Sequence, residues 1–290
     1  MSAIAAPLAT HLPNRGLSRN ALLAPLAGFY ALFLLLPYGY MLWLSVMRYS
    51  ASQFYEPVFT LENYAGVLTD SFYLSLFATT ILLGIAVTLA TLLMGYPLAM
   101  KIVGAAPRTK TLLMVLVLSP LLVNLVVRTY AWLVLLGDNG VINRFLLDLG
   151  LISSPLPINR NFVSAMLGLI HISLPLMVLS LVSIMERIDP ALMEAGRSLG
   201  AGSFRLLRKV HFPLALPGVG VGSLLVFCTV ISAFVTPQLL GGNRFATVGT
   251  VIYQKFTFSM NWPLGATLVF VLLAINAAVI ALHGYLFRER

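Results

Sequence analysis

Residues Phe72 to Met100 read FYLSLFATTILLGIAVTLATLLMGYPLAM, 29 positions without one charged side chain. A helix of about 20 apolar residues crosses the hydrocarbon of a bilayer, so this stretch can span one with length to spare for tilt. Five further apolar segments are read along the chain: Ala21 to Met47, Thr111 to Leu136, Phe162 to Met185, Leu214 to Leu239 and Pro263 to Phe287. None shows the two-residue alternation of a barrel strand. The reading is an all-α integral membrane protein with six transmembrane helices.

Composition agrees with the spans. The 290 residues are 59% hydrophobic and 9% charged, where a soluble domain carries about 25% charge. Six spans and their loops use up this length and leave no large soluble domain. Residues 1–20 read as a cytoplasmic N-terminal segment, and 21–290 as one six-helix domain from which the loop 186–213 projects. Arg15 and Arg19 ahead of the first run resemble the start of a signal peptide, but the run is too long for one, and no small-residue cleavage site follows before Arg48. It is expected to stay as the first span.

Placement of lysine and arginine gives orientation. With both termini and the second and fourth loops on one side, that side holds twelve basic residues and the other five, with Arg128 inside a span. The positive-inside rule then puts both termini in the cytoplasm, in keeping with an even number of spans. The net charge of +9 is scattered between apolar runs instead of forming a patch, which argues against nucleic acid as a partner. One cysteine, Cys228, rules out an internal disulfide or a multi-cysteine metal site.

Enzyme signatures are missing. None of the four lysines follows a glycine, so there is no phosphate-binding G-x-x-x-x-G-K-[ST] loop. The four histidines are scattered, and neither H-E-x-x-H nor G-x-S-x-G occurs. All nine acids lie in loops or at segment ends, leaving no mid-membrane carboxylate of the kind proton-coupled carriers use. The spans carry Pro37, Pro97, Pro120, Pro175 and Pro237, which suit kinked helices around a cavity and equally a plain bundle. Outside loops 139–151 and 247–258 have partial helical patterns; the first puts Ile142, Phe145, Leu146 and Leu149 on one face.

The longest cytoplasmic loop is the most informative: ERIDPALMEAGRSLGAGSFRLLRKVHFPLALPG, Glu186 to Gly218. Asp189 can cap a helix opened by Pro190, with Leu192, Ala195 and Leu199 on one face and Gly200 at its end. Ser203 can cap a second helical segment with Phe204 and Leu207 apolar and Arg205, Arg208 and Lys209 basic, closed by Pro213. Patterning alone fits a knob that docks into a cytoplasmic partner and also a solvated loop whose arginines touch headgroups.

Glu194, Ala195 and Gly196, then Gly200, then Val210, Phe212 and Pro213 resemble the EAA motif of permease subunits in binding-protein-dependent ABC importers. Gly196 replaces the motif's second alanine, Val210 its isoleucine and Phe212 its leucine, and the glycine lowers helix propensity by about 1 kcal/mol. Position between the fourth and fifth of six spans matches too. The resemblance implies a type I ABC importer permease fold in the bacterial inner membrane. It assigns ATPase coupling to Glu194, Ala195, Gly196, Ser198, Leu199, Gly200, Val210 and Pro213. It implies no cofactor in this chain, with ATP and Mg bound by two cytoplasmic ATP-binding subunits. It also implies a homologous or identical second permease and an extracytoplasmic solute-binding protein. Arg128 to Trp132, Gly140 to Asn143, Phe234 to Gly242 and Asn261 to Gly265 are similar to the spermidine/putrescine branch. The implied solute is a polyamine or a related amino-containing or opine-like compound.

Arg128 conflicts with that solute. Arginine at a helix centre costs about 2.5 to 3.5 kcal/mol on insertion scales. Counting along one straight helix from Lys110 puts it about 27 Å away, toward the outer face, where it can snorkel to headgroups, line the pathway or pair with Asp138. Asn124, Tyr130, Trp132 and Gln238 are the other pathway candidates, each with ordinary interhelical packing as the alternative. A self-contained secondary carrier and a membrane scaffold are the competing functional readings.

Overall fold

A computed structural model describes residues 25, 26, 28–242 and 245–286. The N-terminal segment 1–20 with Arg15 and Arg19, Arg244, and Phe287, Arg288 and Arg290 lie outside the described residues.

Five helices are long and apolar enough to cross a membrane: Gly28–Ser45, Ser71–Val103, Phe162–Met185, Ser203–Ile231 and Trp262–Leu286. The sixth span is the pair Pro107–Leu122 and Leu125–Leu135. The core forms where the second, fourth and fifth spans pack together, with Leu83, Val87, Met177, Leu181 and Val226 buried at the centre. Side chains of neighbouring helices sit against glycine there: Phe227 and Ile231 against Gly84, and Met177 against both Gly95 and Gly222. Small residues let helices approach closely where lipid offers no hydrophobic drive between them. The first span packs against the last instead, where Thr267 donates to the Ser45 carbonyl at 3.0 Å; most of its large side chains are exposed.

Local chemistry sets the helix starts. Asp70 accepts from the Phe72 amide to open the second span, and Asn161 forms a reciprocal capping box with Ser164 to open the fourth. Both outside-loop helices form as expected, at Val141–Asp148 and Val248–Thr257. A two-stranded hairpin pairing Met47–Arg48 with Glu56–Phe59 adds strand to an otherwise helical chain.

Three expectations need correction. The third span is two helices meeting at a 97° bend. Val123 and Asn124 are extended, and the Asn124 side chain caps the second helix, while Pro120 has already removed a backbone donor near the end of the first. The 27 Å count to Arg128 assumed a straight rod and fails. The fifth span also ends early, at Ile231 instead of Leu239, and a separate π-helical turn covers Pro237–Gly241. Finally, Pro213 does not stop the helix before the fifth span. The helix runs through it from Ser203, which is its first turn and makes no side-chain cap. A π-helical widening at Leu207–His211 absorbs the proline, the Phe212 amide reaching back to the Leu207 carbonyl.

Candidate functional site

The loop after the fourth span folds as a helix, a bend and the start of a second helix. Asp189 accepts from the Ala191 amide at 2.9 Å and opens Pro190–Ser198. Gly200 ends that turn at φ +79°, the left-handed conformation that glycine adopts freely. The chain then reverses, and Leu206, 2% exposed, packs onto Gly196; a Cβ at 196 would lie 2.4 Å from the Leu206 Cδ2. The glycine that weakens the EAA resemblance is therefore where the knob closes on itself. Helix propensity is given up for a close approach between two short helices.

The knob's outer surface sets exposed apolar side chains among charged ones, including Arg197, Arg205 and Arg208. Leu199 is 87% exposed and Phe204 75%, with Leu192 also exposed. Glu194, Ala195 and Ser198 are exposed, Ser198 donating only to the Glu194 carbonyl at 3.1 Å. The Glu194 carboxylate makes no ion pair among the described residues. Val210 is half-buried inside the π-helical widening, and Pro213 is exposed on the continuing helix.

Two links tie the knob to the spans. Lys110 Nζ meets Glu186 Oε1 at 2.5 Å, joining the start of the third span to the end of the fourth. Both side chains are more than a third exposed, so the pair contributes at most about 1 kcal/mol. The Tyr96 hydroxyl and His211 Nδ1 share a 2.8 Å hydrogen bond between the second span and the widened turn. Removing it with Tyr96→Phe is expected to cost about 0.5–1.5 kcal/mol, or roughly 2 °C in the thermal transition of the solubilised protein. An unshifted transition followed by tryptophan fluorescence would show that this bond does not hold the joint.

The pathway candidates gather around the bend in the third span and the segment that follows the fifth. Asn124 is spent on its capping bond to the Val126 amide at 2.9 Å. Arg128 is 8% exposed, and its guanidinium turns back across the bend to donate to the Pro120 carbonyl. It neither snorkels nor pairs with Asp138. Its charge sits at the carbonyl end of the preceding helix, where the helix dipole favours a cation. Trp132 Nε1 donates to His171 Nδ1 at 3.0 Å. Thr129 and Thr236 hydroxyls, 3.5 Å apart, bridge the segments that follow the two breaks. Ser164 donates to the Leu240 carbonyl at 2.7 Å, and Gly168 lies against Leu240 and Thr236. The second half of the third span and the turn after the fifth are thus fastened to the fourth. Tyr130 is exposed and Gln238 half-buried, and neither side chain is hydrogen-bonded among the described residues.

His171 and Asn143 were not among the pathway candidates, Asn143 entering only through the resemblance of the stretch Gly140 to Asn143. Asn143 is buried and clamps Gly137 and Leu156 with three hydrogen bonds. His171 is a polar residue within an apolar span, which was itself a legible signal.

Known proteins share both the sequence and the fold. The spermidine/putrescine transport system permease protein PotB of Haemophilus influenzae is 35% identical over 251 residues, 87% of each chain. PotB of Escherichia coli K12 is 33% identical over 245 residues, covering 84% of this chain and 89% of that one. Among solved structures, a bacterial ABC transporter involved in import of the acidic polysaccharide alginate superposes with a TM-score of 0.74. That match covers 92% of this chain and 94% of the other at 16% identity, which speaks to fold alone. The family described as binding-protein-dependent transport system inner membrane component matches residues 92–290, from the second span through the knob to the C-terminal end. Spans, knob and relatives agree: this chain belongs to the inner membrane components of binding-protein-dependent transport systems.

Proposed function

We propose that the chain forms half of the translocation pathway of an ATP-driven importer, pairing with a homologous or identical permease and hydrolysing no ATP itself. The loop 186–213 grips one of two cytoplasmic ATP-binding subunits, which hold ATP and Mg. An extracytoplasmic solute-binding protein delivers the solute across the bacterial inner membrane. The solute is spermidine, putrescine or a related amino-containing or opine-like compound, in line with the names of the PotB relatives.

The observation that carries this reading is the knob: Leu199 and Phe204 are left bare on a turn whose own packing uses Leu206 and Gly196 instead. Exposed apolar side chains on a compact projection mark a docking surface. Arg128 keeps its charge, but its guanidinium is buried and directed to the Pro120 carbonyl. Replacing Leu199 or Phe204 with Asp in the intact transporter is expected to lower the ATP-binding subunit recovered with the membrane complex about tenfold, as for an interface anchor. Inserted permease should stay at its normal amount, since neither side chain packs in the fold. Full recovery of the ATP-binding subunit in both variants would sink the assignment.

A further inference from the structure

We infer that the cavity beside the end of the fifth span forms a subsite for an ammonium group of the solute, an inference that rests on the amine reading above. A cavity of about 270 Å³ lies beside this helix end, its wall including Tyr38, Ser232, Phe234, Gly249 and Asn276. Complete small-molecule pockets run to roughly 300–1,000 Å³, so this one takes one end of an extended solute. Its depth is set by Asn276, fourteen residues beyond Trp262 in the last span, about 21 Å along the helix axis. That is just past the middle of the 25-residue helix.

Three features of the wall favour a cation, and no lining residue is charged. Ser232 is the residue on which the helix Ser203–Ile231 ends, so the negative pole of that helix and its last carbonyls adjoin the cavity. Asn276 turns its NH2 to the Leu272 carbonyl at 3.1 Å and to Ser232 Oγ at 3.5 Å. Its Oδ1 is left with no donor among the described residues. The rings of Tyr38 and Phe234 supply aromatic surface, Phe234 being held by stacking on Tyr253 at 5.3 Å. An ammonium has three donors and no acceptor, and carbonyl, amide and hydroxyl oxygens answer it without a carboxylate. A permease with no acid inside its spans can pass an amine in this way.

The test uses the intact transporter with its receptor in proteoliposomes, reading uptake of labelled spermidine per assembled complex. Asn276→Asp is expected to keep or raise the maximal rate, and Asn276→Lys to lower it at least about tenfold, because they place opposite charges beside the bound cation. Phe234→Leu leaves the Asn276 bonds alone; it should lower the maximal rate several-fold without changing the dependence on receptor concentration. Equal rates in the Asp and Lys variants, or an unaltered rate in Phe234→Leu, would overturn the subsite while leaving the importer reading intact. A wild-type complex that moves another solute but no spermidine or putrescine would remove the amine reading, and the subsite with it.

Discussion

Gly200→Val is expected to cut solute-stimulated ATP hydrolysis about fivefold to thirtyfold while the permease still inserts and folds. The residue sits at φ +79°, and a Cβ there would meet nothing within 4 Å, so the effect comes from backbone conformation and not from a clash. A left-handed conformation costs an ordinary L-residue about 1–2 kcal/mol, more when it is β-branched. That is a factor of about 5–30 in the population of the knob's working shape. Gly200→Asn should retain most of the coupling, since asparagine tolerates this region. The assay is ATPase activity of the reconstituted complex with and without loaded receptor. Wild-type coupling in the valine variant would mean that the bend does not transmit motion. Glu194→Ala should impair the same readout, because its exposed carboxylate is used by no described neighbour.

Arg128→Ala should remove assembled protein and uptake in parallel, leaving transport per surviving complex close to normal. The guanidinium bonds to the Pro120 carbonyl at the end of a helix that the bend has cut off from its continuation. The Pro120 carbonyl keeps the Val123 amide at 3.3 Å, so what is lost is a hydrogen bond from a charged donor, worth about 1.5–3 kcal/mol. Losing the cation also forfeits its favourable place at the helix end. The amount of complex surviving extraction is expected to fall to about a tenth, following the factor per 1.4 kcal/mol. Size-exclusion yield and vesicle uptake, measured together, decide it. Normal yield with lost uptake would instead put Arg128 on the solute's path.

Much of the fold was legible because a bilayer imposes a simple length rule. The cap Asp189-Pro190 and the bend at Gly200 could likewise be read, since caps and left-handed turns depend on a few adjacent residues. The two breaks were not. Pro97 and Pro175 lie within unbroken spans while the chain turns by 97° shortly after Pro120, so proline alone does not say where a span parts. What decides is whether neighbours satisfy the freed groups. Arg128 and Ser164 do so, the latter from 76 residues away in sequence. Gly196 was misleading for the same reason: its local cost was visible, but its contact with Leu206 was not.

The sequence by itself determined that this chain lives in a bilayer and where its longest cytoplasmic loop starts and bends, because these follow from apolar run length, charge placement and short-range capping. Only the tertiary structure decided that the third span bends by 97°, that the fifth ends at Ile231, that Arg128 serves a helix end and that Asn276 faces Ser232. Those outcomes depend on which helices adjoin, and hydrogen bonds between distant segments leave no period or spacing for a linear reading to find.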